Sequence, residues 1–177
     1  MKTTFTSEQV ERMREKASCA RDLAIIDLLA TTGMRVSELV GLDRDDFNIE
    51  KRECIVLGKG NKERTVYFDD RAKMHLSAYF ATRRDSNAAA FICRNNHSKR
   101  LGKDGVEKTV RKIGERAGVE RAHPHKFRRT LATKAIGKGM PIEQVQHLLG
   151  HQRIDTTLHY AMVDEVNVKM SHRRFIC

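Results

Sequence analysis

Apolar positions recur at helical spacing along most of the chain and give way to β-prone runs between Phe47 and Phe68. Leu23, Ile26, Leu29 and Ala30 fall on a common face ahead of Gly33, which suits a left-handed helix stop. Upstream, Thr6-Ser7-Glu8-Gln9 has the spacing of a capping box and predicts an earlier helix. Arg35 therefore lies just past a helix end, and Val36-Ser37-Glu38-Leu39-Val40 begins another short helix. Between Phe47 and Phe68 the period shortens. The runs Glu53–Leu57 and Arg64–Phe68 are β-prone, and Gly58-Lys59-Gly60-Asn61-Lys62 between them predicts a hairpin with a basic tip. Helices resume near Arg71, and Val106, Val110, Ile113 and Ala117 mark an amphipathic one ending at Gly118. Pro124 suits the first turn of a helix holding His125 and Arg128, which Gly137 and Gly139 close. Pro141 opens another, with Ile142, Val145, Leu148 and Leu149 inward and Gly150 as its stop. A short helix carrying Tyr160 and a tail from Val163 complete the chain. The fold class this predicts is α+β, mostly α-helical, with one small antiparallel β-sheet.

Length and charge narrow the class of partner. At 177 residues the chain is one domain, or a domain with a short tail, able to bury a sizeable core. It is 40% hydrophobic and 32% charged, as a globular protein is, with a formal net charge of +11. That excess favours a polyanion, because each phosphate contact releases condensed counterions. Cys19, Cys54, Cys93 and Cys177 are far apart and form no C-x-x-C pair, which points to thiols in a reducing compartment rather than disulfides or a zinc site. No apolar stretch is long enough to span a bilayer and Met1–Phe5 is no signal peptide, so a cytoplasmic protein with no membrane partner is expected.

The candidate chemistry lies in the last third of the chain. His125-Lys126-Phe127-Arg128, Leu149-Gly150-His151 and His159-Tyr160 follow one another, with Arg35 isolated upstream. Attack of a tyrosine on a phosphodiester requires loss of the phenol proton, stabilisation of charge on the non-bridging oxygens and a proton for the leaving alkoxide. Arg35 and Arg128 suit the second need, since a guanidinium is permanently charged and forks onto two oxygens. One such preorganised donor is typically worth about 3–4 kcal/mol in the transition state. His125 and His151 offer adjustable hydrogen bonding and proton transfer. Lys59, on the hairpin tip, is placed to protonate the leaving oxygen, and Tyr160 is the nucleophile. Taken singly, each residue has a plainer role as a cap, a solvated turn or core packing; their joint order is what favours phosphoryl transfer.

Thr31-Thr32-Gly33-Met34-Arg35-Val36-Ser37-Glu38-Leu39 resembles the first-arginine box of the tyrosine recombinase (phage integrase) family. Gly58-Lys59-Gly60-Asn61-Lys62-Glu63-Arg64 resembles its catalytic-lysine hairpin. Pro124–Arg128, His147–His151 and Thr156–Tyr160 resemble the remaining boxes, in the family's order. The resemblance runs from about Phe5 to Tyr160. It implies that Arg35 and Arg128 clamp the phosphate and that Lys59 is the general acid on the departing 5′ oxygen. His125 would be proton acceptor or phosphate ligand, and His151 a further phosphate hydrogen-bonder where some relatives have tryptophan. Tyr160 would form a 3′-phosphotyrosyl link, with Glu38 supporting the arginine and lysine geometry. The implied activity is site-specific DNA recombination, with double-stranded DNA as partner and no metal, nucleotide or other cofactor. A homo-oligomer is implied, tetrameric on synapsed DNA, with a monomer permitted when free.

Two departures from the family pattern stand out. Arg129 occupies a position where relatives commonly have histidine, so altered local contacts rather than inactivity are expected. Relatives also usually carry a separate N-terminal domain that closes around DNA. The expected organisation is therefore a catalytic domain over residues 1–162, a tail over 163–177 used in protomer contacts, and no N-terminal core-binding domain, as in a fragment of a longer integrase. Val166, Val168 and Met170 alternate, so the tail suits either a strand or a short helix. Three other readings compete. A zinc site on His147 and His151 lacks the glutamate its pattern requires, since Leu148 stands there. A DNA-binding module without catalysis leaves Tyr160 and the two arginine boxes unexplained. A type IB topoisomerase or hairpin telomere resolvase shares the chemistry without the exchange of partners.

Overall fold

The computed structural model describes residues 4–58, 60–151 and 157. The elements are α1 (Ser7–Glu15), α2 (Ala20–Thr32), α3 (Val36–Gly41), a 3₁₀ turn over Arg44–Asp46, β1 (Phe47–Asn48), β2 (Glu53–Leu57), β3 (Glu63–Tyr67), α4 (Asp70–Thr82), α5 (Lys103–Arg116), α6 (Pro124–Gly137) and α7 (Ile142–Leu149). The mostly helical architecture with a small antiparallel sheet is the one the patterning predicts. The capping box is present: Thr6 Oγ1 accepts from the Gln9 N–H at 3.1 Å, and the Gln9 side chain accepts from the Thr6 N–H at 3.0 Å.

Helix α2 is the spine of the fold. Ala24, Ile25, Ile26, Leu28 and Leu29 are all 0% exposed, so its apolar surface extends beyond a single stripe. It packs against α4 on one side and α6 on another, and also touches α1 and α5. A helix enclosed in this way is apolar over much of its circumference. Its fully buried Asp27 is held by the Arg14 guanidinium of α1 and the His75 ring of α4, because a buried carboxylate must be paired.

The sheet has the order β1-β2-β3, all antiparallel, with Cys54 opposite Val66 and Leu57 opposite Glu63. Cys54, Val56 and Val66 face the core, and Ile55, Leu57 and Tyr67 face outward. The third strand, Phe47–Asn48, is an addition to the two that the alternation predicts; two residues are too few to show a period. Burial, and then the neighbouring Asp46 carboxylate, push the Cys54 thiol up to about 12, which makes it a packing group, as expected of these cysteines.

The start of the described chain is bound to α6. The Phe5 N–H donates to Thr130 Oγ1 at 2.8 Å, its ring lies 4.6 Å from that of Phe127, and the Lys126 ammonium stands 4.5 Å above it. Helices α2 and α7 both end on glycines in the left-handed region, Gly33 at φ 60° and Gly150 at φ 63°, as the sequence predicts. Within α7, Val145 and Leu149 are buried, whereas Ile142 and Leu148 are only half-buried, a narrower inward face than expected. The predicted helix around Tyr160 and the tail lie outside the described residues, apart from Thr157.

Gly33 has no room for a side chain. A Cβ there would approach Leu131 Cδ2 to 2.7 Å and Leu149 Cδ2 to 3.0 Å, in addition to the backbone strain of a positive φ. Gly33→Ala is therefore expected to destabilise the fold by about 2–4 kcal/mol. Gly41→Ala, in open space, is expected to change stability by less than about 1 kcal/mol. Urea unfolding midpoints of the two variants test the contrast.

Candidate active site

Helix α7 ends in a tight glycine cap: the Gly150 N–H donates to His147 O at 3.0 Å and the His151 N–H to Gln146 O at 3.1 Å. Among the described residues the next three carbonyls have no helical partner, as at any helix C-terminus. A guanidinium meets each of them. Arg64 Nε donates to Leu148 O at 3.2 Å, Arg128 Nη2 to Leu149 O at 2.5 Å and Arg35 Nη2 to Gly150 O at 3.2 Å. Arg128 Nη1 also donates to Gly33 O, at 2.8 Å, so this arginine bridges the ends of α2 and α7. Three separate parts of the chain thus converge: the α2–α3 junction, strand β3 and helix α6.

Glu38 joins two of the arginines. Its carboxylate accepts from Arg64 Nη1 at 2.5 Å and Nη2 at 2.9 Å, from Arg35 Nη1 at 3.0 Å and from the Arg35 N–H at 2.6 Å. The last of these is a helix-capping contact, which explains why the carboxylate stands three residues after Arg35. Burial pushes the Glu38 carboxyl up. The hydrogen bonds from Arg64 and the Arg35 backbone, together with both positive charges, outweigh that and hold it below the usual carboxylate range. It is therefore ionised at neutral pH.

His151 follows directly on the arginine-bound carbonyls. Its Nδ1 shares a hydrogen bond with Thr157 Oγ1 at 2.8 Å, and its backbone oxygen accepts from Gln146 Nε2 at 3.1 Å. Burial, then the charges of Arg128, Arg35, Arg64 and His125, depress its imidazole from 6.5 to about 4. It is neutral at physiological pH. His125, in the first turn of α6, is exposed, its ring parallel to that of His123 at 6.5 Å, and its charge is among those felt at His151.

Arg35, Glu38, Arg128 and His151 are thus gathered around the end of α7, with His125 in electrostatic range. Exposure separates the two clamp candidates: the Arg35 side chain is 37% exposed, and Arg128 is 2% exposed. Lys59 and Tyr160 lie outside the described residues. Gly58, which precedes Lys59, stands beside the pair Glu38–Arg64: a Cβ on it would lie 3.8 Å from Glu38 Oε1 and from Arg64 Nη1. Burial, and then the charge of Arg129, lower the pKa values of His123 and Lys126, so Arg129 acts on the flank of α6.

The residues match the phage integrase family model from 3 to 166. The chain belongs to the phage integrase family. It is 34% identical over 167 residues to the tyrosine recombinase XerC of Lactobacillus delbrueckii subsp. bulgaricus, covering 90% of this chain and 56% of that protein. It is 33% identical over 162 residues to the tyrosine recombinase XerD of Staphylococcus epidermidis, covering 88% of this chain and 54% of that one. Among solved structures, the XerA recombinase superposes with a TM-score of 0.84 at 26% identity, over 98% of this chain and 63% of that one. XerH bound to its difH substrate superposes with a TM-score of 0.80 at 26% identity, over 96% of this chain and 53% of that one. This integrase-family chain therefore spans little more than half the length of the curated relatives it matches.

Sequence reasoning left Arg64 inside the hairpin motif without a role. Its signal is the strand alternation, since Arg64 shares the inward face of β3 with Val66. The three carbonyls at the end of α7 carry no signal in the sequence, because their partners come from distant segments, and Thr157 lies inside the Thr156–Tyr160 box without a role of its own there. A depressed histidine gives the folded state fewer bound protons than the unfolded state between its two pKa values, so stability falls as pH drops from 6.5 to about 4. Thermal unfolding of the wild-type chain is expected to weaken across that window. His151→Gln should flatten the dependence, and an NMR titration should place the His151 midpoint near the lower end.

Proposed function

We propose that the chain is a site-specific DNA recombinase module that cuts and rejoins double-stranded DNA through a 3′-phosphotyrosyl intermediate. One observation carries the reading: the charge balance at the end of α7. Three guanidinium groups face one carboxylate there, with a neutral histidine beside them. The C-termini of α2 and α7 each contribute roughly half a negative charge. Among these described groups the remainder is roughly one positive charge, which suits a phosphodiester and grows in value as the transition state gains charge.

In this reading Arg35 and Arg128 hold the non-bridging oxygens. The bonds of Arg128 to Gly33 O and Leu149 O fix its guanidinium at the junction of the two helix ends. Neutral His151 adds a hydrogen bond without adding charge. The phenolate of Tyr160 attacks phosphorus, the P–O5′ bond breaks, and the 5′ oxygen takes a proton from Lys59. His125 receives the phenol proton or binds the phosphate. Thr157, bonded to His151, precedes the nucleophile by three residues, a chain length that reaches at most roughly 11 Å. Attack by another 5′ hydroxyl reverses the step, because the phosphotyrosyl bond conserves the energy of the one broken. No metal or nucleotide has a role in this sequence of steps.

DNA as partner is further supported by the net charge of +11 and by the difH-bound state of XerH. Assembly as a tetramer on synapsed DNA and tail docking between protomers belong to the same proposal. No helix among the described residues is long and apolar enough to cross a membrane, and a cytoplasmic setting fits the free thiols of Cys19, Cys54 and Cys93.

Incubation of the 177-residue chain with a randomised pool of nicked duplexes in EDTA, followed by a denaturing gel, tests the reading. A covalent protein–DNA band is expected. Tyr160→Phe should abolish it, and Arg128→Ala should slow its formation by roughly 100- to 1000-fold. A band that persisted in Tyr160→Phe, or that required a divalent metal, would overturn the assignment.

A further inference from the structure

Arg64 has no part in the reaction written above, yet its guanidinium lies at the centre of the cluster. The side chain is 9% exposed and grips Glu38 at two points, with its third donor on Leu148 O. Its plane lies against the backbone of Gly150, where an added Cβ would approach Arg64 Cδ, Nε and Cζ to 2.9, 3.0 and 3.1 Å. Each Glu38 oxygen accepts two bonds, one from Arg64 and one from Arg35, and the Glu38 side chain is 1% exposed.

A carboxylate so deeply buried requires a full counter-charge. With Arg64 present, the two guanidinium groups share that task. Without it, Arg35 alone would neutralise Glu38, and the roughly one positive charge left at the α7 end would fall to roughly zero. We propose that Arg64 is a positioning residue that supplies the counter-charge of Glu38 and thereby leaves the charge of Arg35 to the scissile phosphate. The proposal rests on the reading of Arg35 and Arg128 as the phosphate clamp. The two-point grip also fixes the hairpin to α3, and the Leu148 bond fixes both to the helix that precedes His151.

The test is the rate of covalent-complex formation on nicked duplexes that the wild-type chain captures from the randomised pool. Arg64→Met is expected to slow it roughly 100-fold. Adding Glu38→Gln to Arg64→Met should recover roughly 10-fold of that loss, because an amide of the same shape no longer consumes the charge of Arg35. A packing role for Arg64 predicts the reverse, since a second lost partner loosens the site further. A double variant no faster than Arg64→Met, or an Arg64→Met chain as fast as wild type, overturns the proposal. If Arg64→Met does not melt cooperatively, Arg64→Lys decides. It keeps the cation, and retention of most activity supports the proposal, whereas a loss as deep as that of Arg35→Ala overturns it. An unimpaired Arg35→Ala would overturn the clamp and this proposal together. An inactive Arg35→Ala beside an unimpaired Arg64→Met would overturn this proposal alone.

Discussion

Two helix C-termini point into one small volume in this molecule, and neither end can be left bare. Helix α2 stops at Gly33 and helix α7 at Gly150, and a Cβ on Gly33 would touch Leu149. Carbonyls without partners and two negative dipole ends would oppose so close an approach. Arg128 spans the gap by donating to Gly33 O and Leu149 O, while Arg35 and Arg64 take the carbonyls on either side. Hydrogen bonds from charged donors are each worth about 1.5–3 kcal/mol net. The arginines are thus structural supports for the fold before any substrate arrives.

The same arrangement is the one on which the proposed binding of a phosphate rests. Cations preorganised by the fold need no reorganisation when charge develops on a bound group. Glu38 orients Arg35 through both its backbone and its side chain, and the capping geometry of α3 holds that carboxylate in place. Rigidity reaches the cluster from behind through the enclosed spine of α2 and through Lys126 and Thr130, which bind Phe5 to α6. Residues 126 and 130 lie one helical turn apart on the face of α6 away from Arg128, so the helix is held from both sides.

Helix limits were legible because their signals are local. The Thr6 capping box, the stops at Gly33 and Gly150, and Pro124 in the first turn of α6 depend on neighbours a few residues away. The hairpin was legible for the same reason, and β1 was not, since a two-residue strand exists only through its pairing with Cys54 and Glu53. Of the candidate site, the chemical types were legible and the connections were not. The family resemblance linked Glu38 to Arg35, but the tie of Glu38 to Arg64 crosses 26 positions and that of Arg128 to Gly33 crosses 95.

The sequence by itself determined the periodicity, the caps, the basic charge and the order of the motif residues, all of which arise from interactions along the backbone. Tertiary structure alone decided that two helix ends converge, that three guanidinium groups bind three successive carbonyls, and that His151 is neutral. Those outcomes depend on burial and on charges brought together from remote segments. Coulomb and desolvation energies follow distance and dielectric in space, and neither can be read from position along a chain.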